Sequence, residues 1–146
     1  TVIVGDAFLT HDPVGVGRRF RRLTGELSLR RPGLTPFAIE RFNVTGDAVE
    51  TAWSQLVPHA CAAQGSLWVC APGSADLLAA ALDHVLAEIP GLHAGASALP
   101  GGLGAMARLL ASDAVTLASG FRAAWRALRS ALTGAEPASR RQSGWL

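Results

Sequence analysis

The stretch "PGSADLLAAALDHVLAEIPG", residues 72–91, is the segment whose pattern decides the fold of this chain. Its leucine, alanine and other apolar residues recur at three- and four-residue spacing, which is typical of a helix with one buried face. Ser74 is a suitable N-cap, and Pro90-Gly91 is a strong stop signal. The pattern therefore predicts a helix over residues 74–89. Its core-facing residues are expected to be Leu77, Leu78, Ala81, Leu82, Val85, Leu86 and Ile89.

Short strands are predicted on both sides of this helix in the sequence. The apolar run "SLWVCA", residues 66–71, predicts a buried strand just before it. After it, "AGASALPGGLGAMARLLA", residues 94–111, predicts two short strands joined at Pro100-Gly101-Gly102, because proline and glycine together mark a tight turn. This order of strands and helices indicates an α+β fold.

The first third of the chain also has the character of β-structure. The apolar, β-branched run over residues 1–10 predicts a buried strand. Residues 18–31 and 37–47 each alternate apolar and polar side chains, and the turn-rich segment between them predicts a β-hairpin or meander. Residues 49–64 are weakly patterned and are left open between helix and coil. We expect a single α+β domain over residues 1–146, with mainly β-sheet architecture.

The C-terminal segment "SGFRAAWRALRSALTG", residues 119–134, predicts a second amphipathic helix, capped by Ser119 and ended by Gly134. At 3.6 residues per turn its side chains fall into two stripes. The packed stripe is expected to hold Phe121, Trp125, Leu128 and Leu132. A basic stripe, available to a partner, is expected to hold Arg122, Arg126 and Arg129. Residues 136–146 lack a period and predict an extended tail.

Composition favours a folded chain, since 49% of its residues are hydrophobic. Its basic side chains are all arginine, and those of residues 107–146 outnumber the acids of that segment. No apolar run approaches the ~20 residues that span a bilayer, and the opening residues lack the zones of a secretory signal, so we expect no membrane partner and a cytoplasmic protein. Two cysteines outside any C-x-x-C pair predict reduced, buried thiols.

No catalytic or metal-binding constellation is evident in the sequence. The nucleophile elbow G-x-S-x-G is absent, and the four histidines are scattered. His59 and Cys61 would share one face of a strand, but two ligands do not complete a metal site. Asp6, Asp12, Glu26 and Glu40 are interpreted as isolated carboxylates.

Two functional alternatives remain open at this point. One is a small α+β enzyme whose active site assembles from distant residues. The other is a basic nucleic-acid-binding module that uses "RRFRR", residues 18–22, together with the tail. Extended backbone would divide the arginines of that run between two faces, so a solvated edge strand is the preferred interpretation. Aromatic and arginine residues on one helix favour an interaction protein instead.

The most specific features of the C-terminal segment are Phe121-x-x-x-Trp125-x-x-Leu128-Arg129, then Leu132-x-Gly134, and Arg141 shortly before Trp145. Together these features resemble the urease accessory protein D (UreD) family. The order of elements from Gln64 to Arg129, with "ALPGG" before a strand that contains Arg108, is similar to the C-terminal half of that family. Family members are longer, so the chain is either a fragment or a shortened member.

The resemblance implies a non-enzymatic scaffold of mainly β architecture with two amphipathic helices. It implies binding to apo-urease and to urease accessory proteins F and G, the latter a GTPase that carries nickel. Nickel would pass through the assembled complex to the urease active site, and no cofactor would be bound stably. No nucleic acid, catalytic residue or metal ligand is expected. The partner-binding residues are expected to be Phe121, Arg122, Trp125, Arg126, Arg129 and Trp145.

Overall fold

The fold is described here for residues 1–9, 20–30, 33, 35–57 and 61–135 of a computed structural model. Its strands are β1 (Val2–Leu9), β2 (Leu23–Leu29), β3 (Ala38–Val44), β4 (Ala63–Cys70), β5 (Leu92–Ala98) and β6 (Gly104–Ala111). Its helices are α1 (Gly46–Leu56), α2 (Ala75–Ala87) and α3 (Ala114–Thr133). A single 3₁₀ turn, Pro100–Gly102, joins β5 to β6. The α+β prediction is confirmed.

Four of the strands form an antiparallel sheet in the order β1-β4-β6-β5. In its centre Leu67 of β4 lies opposite Gly5 of β1 on one side and Ala107 of β6 on the other. The remaining two strands, β2 and β3, form a separate antiparallel hairpin in which Leu27 pairs with Glu40. The hairpin, the central strands and the turn between β5 and β6 were all predicted from the sequence.

Helices α2 and α3 cover one face of the four-stranded sheet. Every second residue of β4 and β6 points toward them, as the two-residue period of a strand requires. The fully buried side chains of this main core come from both layers and include Val69, Leu78, Leu82, Leu86, Leu109 and Leu128. Asp83 of α2 also accepts a hydrogen bond from the backbone N–H of Ala96 at 2.7 Å, which occupies one donor of the edge strand β5.

The opposite face of the sheet supports the β2–β3 hairpin and α1. A second core forms there around Val49, Trp53 and Cys61. Phe8 of β1 stacks on Trp53 with ring centroids 6.1 Å apart and meets Phe20 edge-to-face at 6.2 Å. The sheet is therefore the middle layer of three.

Helix α1 is a third helix, in addition to the two that were predicted. Thr45 is its N-cap, and the Thr45 hydroxyl accepts a hydrogen bond from the N–H of Ala48 at 3.3 Å. Val49 and Trp53 stand four residues apart and are both buried. The i, i+4 pair lies in residues 49–64, which the sequence left open between helix and coil, whereas the cap Thr45 lies in residues 37–47, which were predicted as a strand, so the helix begins inside that predicted strand.

Strand β1 is less buried than its apolar sequence predicts. Val2 is 56% exposed, and none of the strand's residues is fully buried. The reason is its position: β1 lies at the edge of the sheet, where a strand has a neighbour on one side only.

Helix α2 occupies the predicted position, with Ser74 at the N-cap but without a side-chain hydrogen bond to the helix. The prediction that Leu77 faces the core is wrong, because this side chain is 58% exposed. Its neighbour Leu78 is fully buried, and adjacent helical residues point about 100° apart. The buried face of α2 is therefore narrower than the apolar face that the sequence predicts.

Helix α3 begins earlier than predicted. Its N-cap is Asp113, whose carboxylate accepts a hydrogen bond from the N–H of Thr116 at 2.8 Å. This hydrogen bond is the largest cause of the lowered pKa of the Asp113 carboxyl. Ser119, the predicted cap, lies inside the helix and donates to the carbonyl of Val115. Gly134 ends the helix in the left-handed conformation at φ 68°, as predicted.

The buried stripe of α3 also differs from the prediction. It consists of Leu117, Gly120, Ala124 and Leu128, whereas Trp125 is 44% exposed. A Cβ atom on Gly120 would lie only 2.8 Å from the side chain of Leu109. At Gly120 and Ala124 small residues face the sheet, because at Gly120 the helix lies too close to Leu109 for a larger side chain, and Trp125 is turned outward.

Candidate functional site

The outer face of α3 is the most distinctive exposed feature of the described residues. It combines Trp125 with three exposed arginines, namely Arg122, Arg126 and Arg129. The positions of the three arginines span about 60° around the helix axis, and those of all four residues span about 100°, so the four side chains leave the same side of the helix. We call these four residues the α3 surface. The structure brings the predicted arginine stripe together with the tryptophan that was predicted to lie in the core.

Local contacts arrange two of these arginines. The guanidinium of Arg129 lies over the Trp125 ring, 5.5 Å from its centroid, which is a cation–π geometry. Arg122 donates to the hydroxyl of Ser119 at 3.0 Å. Within the described ranges, none of the three arginines makes an ion pair. The α3 surface therefore presents positive charge beside an exposed aromatic ring.

Phe121 has a different position from the four residues of the α3 surface. It is half-buried and packs against the main core. Its ring lies directly over two glycines of the sheet, since a Cβ atom would come within 3.2 Å of it at Gly5 and 2.5 Å at Gly65. Phe121 thus fixes α3 to the sheet. Trp145, the remaining predicted contact, lies outside the described residues, as does Arg141.

A buried polar cluster is the feature that sequence reasoning missed. Glu40 was interpreted as isolated, but its side chain is only 4% exposed and pairs with Arg108 at 2.5 Å. Ser66 Oγ and Trp68 Nε1 each donate to its carboxylate at 3.2 Å. The partners come from β4 and β6, so no local pattern could have connected them to β3. Because three donors contact it, the Glu40 carboxylate joins the hairpin to the sheet and is not free to act as a base.

We expect Arg108→Ala to destabilise the chain by about 2 kcal/mol, because the buried Glu40 carboxylate would lose its counter-ion. The matched control is Arg22→Ala, which removes an exposed hydrogen bond to Asn43 and is expected to cost less than about 0.5 kcal/mol. Urea titrations of both variants provide the measurement. Equal stability of the two variants would contradict the stabilising role of the Glu40–Arg108 pair between the hairpin and the sheet.

The candidate metal pair His59 and Cys61 is only partly described, because His59 lies outside the described residues. Cys61 is buried in the second core, and burial raises the pKa of its thiol. A thiol with a raised pKa stays protonated at neutral pH, whereas a metal needs the thiolate. Among the residues that the structure describes, no group of three or more His, Cys, Asp or Glu side chains could hold a metal ion.

The structure describes some of the remaining residues that the sequence analysis singled out. Asp6 accepts a hydrogen bond from the backbone N–H of Ser66 at 3.2 Å, and Glu26 pairs with Arg41 at 2.7 Å, so neither is isolated. Asp12, Arg18 and Arg19 lie outside the described residues, while Arg21 and Arg22 are exposed. In the described part of the chain, no helix is long and apolar enough to cross a membrane.

The fold and this surface define an α+β protein whose described residues carry a positively charged helix face beside an exposed aromatic ring. A family model described as UreD urease accessory protein matches residues 2–143. The chain therefore belongs to the UreD urease accessory protein family, as the sequence resemblance predicted.

Individual relatives agree with this assignment. The chain is 38% identical over 141 residues to urease accessory protein UreD 1 of Methylorubrum extorquens (strain PA1), which covers 96% of the chain and 47% of the relative. It is 34% identical over 140 residues to UreD 1 of Methylorubrum populi, with 96% and 47% covered. It is 31% identical over 141 residues to UreD 1 of Pseudomonas syringae pv. tomato, with 97% and 50% covered. The chain spans about half the length of these curated relatives.

Proposed function

We propose that this chain acts in urease maturation as a non-enzymatic scaffold that binds apo-urease and urease accessory proteins F and G for nickel insertion. The observation that carries the proposal is the family match over residues 2–143. The relatives are named urease accessory proteins, a name that describes assistance to an enzyme. In this function nickel is cargo of the assembled complex, and the chain works in the cytoplasm.

The α3 surface supports a binding role for the described part of the chain. Tryptophan and arginine are the residue types that most often dominate the energy of protein contacts. Trp125 is held by Arg129 on its ring and is 44% exposed, so it can be covered by a partner without rearrangement of the core. We therefore place the partner contact at Arg122, Trp125, Arg126 and Arg129, with Trp145 as a further proposed contact, and we assign Phe121 to holding the helix in place.

The proposal is tested by capture and activation together. Tagged full chain is mixed with apo-urease and accessory proteins F and G, and the bound proteins are identified on the resin. Urease activity is then followed after nickel and GTP are added, with and without the chain. We expect stable capture and faster activation when the chain is present. Absence of capture of all three proteins would contradict the proposed function.

Trp125 allows a prediction that separates binding from folding. We expect Trp125→Ala to change the free energy of unfolding by less than about 1 kcal/mol, because the ring lies at the surface. Capture is expected to weaken about tenfold or more, as for other central interface aromatics. Thermal melts and capture assays on the same preparation provide the measurement. A variant that unfolds readily would show that Trp125 supports the core after all.

A further inference from the structure

The charge of the α3 surface has no counterpart within its own helix. The helix sequence from Ala114 to Thr133 contains three arginines and no acidic residue. The ion pairs of the described residues join Arg41 to Glu26 and Arg108 to Glu40, and neither involves α3. Three positive charges are therefore available to carboxylates of another molecule.

Apolar area accompanies this charge on the same helix face. Val115 is 74% exposed, and its position lies on the same side of the helix as Arg122 and Arg126. Together with Trp125, it places apolar surface at the beginning and in the middle of the arginine face. A ligand that offers only negative charge would leave this apolar area in water, whereas an amphipathic segment would cover it.

The spacing of the arginines indicates the shape of the occupant. Arg122, Arg126 and Arg129 stand at i, i+4 and i+7, which is the repeat of one helix face. From Val115 to Arg129 the face extends about 21 Å, the length of a helix of about fourteen residues. Carboxylates that recur at the same spacing on a second helix could meet the three guanidinium groups in turn, and each contact could be bidentate.

We propose that the α3 surface binds an acidic amphipathic helix of a partner protein, whose carboxylates pair with Arg122, Arg126 and Arg129 and whose apolar residues cover Trp125 and Val115. The inference rests on the proposed function, since it concerns the partner of the same surface. It adds the chemistry by which that partner is recognised.

The first test is charge reversal in the full chain. Arg122→Glu with Arg126→Glu is expected to reduce capture of apo-urease or accessory protein F about tenfold or more, because attraction becomes repulsion. The control is Arg21→Glu with Arg30→Glu, which changes the net charge equally at exposed positions away from α3 and is expected to alter capture less than about twofold. Capture by the original chain should weaken as salt is raised.

The second test uses the absence of lysine from the sequence. Arg126→Lys places one lysine amine on the α3 surface, and a carbodiimide links amines directly to carboxylates that touch them. In the assembled complex, we expect the amine at position 126 to be linked to an Asp or Glu on a partner helix. The matched control, Arg21→Lys, should yield little of this product. Mass spectrometry of the linked peptides identifies the partner residue.

The outcomes separate the two proposals. If the original chain captures neither apo-urease nor accessory proteins F and G, the proposed function fails and the inference falls with it. If capture occurs but is insensitive to Arg122→Glu with Arg126→Glu, or if position 126 is linked no more than position 21, the inference alone is wrong. A 20-base-pair DNA duplex serves as the competing probe. Binding of DNA that depends on these arginines, with unchanged protein capture, would also overturn it.

Discussion

Replacing Gly104 by alanine is expected to destabilise the chain by about 4 kcal/mol, the combined effect of backbone strain and a steric overlap. Gly104 opens β6 with φ at 148°, a conformation that side chains other than glycine rarely adopt. A Cβ atom there would overlap the carbonyl oxygen of Val69 in β4. Because the obstacle is backbone of a central strand, it cannot move aside as a flexible side chain would.

Gly95 provides the matched control, since it lies in the neighbouring strand β5 and has open space where a Cβ would stand. Gly95→Ala is expected to change stability by less than about 0.5 kcal/mol. The two variants are compared by urea titration monitored by circular dichroism. A Gly104→Ala variant as stable as Gly95→Ala would show that β4 and β6 do not approach each other in this way.

The second large effect is expected at Leu82, which is fully buried between α2 and the sheet. Leu82→Ala removes several methyl and methylene groups from the main core and leaves a cavity, so it should cost about 3 kcal/mol. Leu77 is the same residue type on the same helix, but it is 58% exposed. Leu77→Ala should therefore cost less than about 0.5 kcal/mol.

The pair of leucine variants measures which face of α2 is buried. Both substitutions keep helix propensity high, since alanine is the best helix former, and they differ only in the packing that is lost. Unfolding in urea gives the two free energies directly. Comparable losses at both positions would indicate that Leu77 packs against something, and the buried arc of α2 would have to be wider than described.

The elements that were predicted correctly have signals that are local in the sequence. The α2 helix has its stop at Pro90-Gly91, and the turn between β5 and β6 has Pro100-Gly101-Gly102. Glycine and proline act through the dihedral angles of their own residues, so their effect is visible without knowledge of the fold. The hairpin was predicted from the alternation of apolar and polar side chains along β2 and β3, which is also a local signal.

The candidate surface was predicted only in part. The three arginines of α3 were recognised as one stripe, because their spacing is a property of the helix itself. Trp125 was placed on the wrong face, since its hydrophobicity suggested burial. Gly120 and Ala124 instead face the sheet, and at Gly120 the side chains of Leu92 and Leu109 leave no room for a larger residue. Close approach between layers is a property of two segments, and one segment alone does not reveal it.

By itself the sequence determined the α+β class, the positions of most strands and helices, and the UreD resemblance. These depend on periodicity, turn residues and short motifs, each of which acts within a few neighbouring residues. The tertiary structure alone decided that Glu40 is paired with Arg108, that Leu77 is exposed and that Trp125 joins the arginines on the outer face of α3. The physical reason is that burial and charge pairing depend on which distant segments meet, and the layers of this fold bring together residues far apart in the chain.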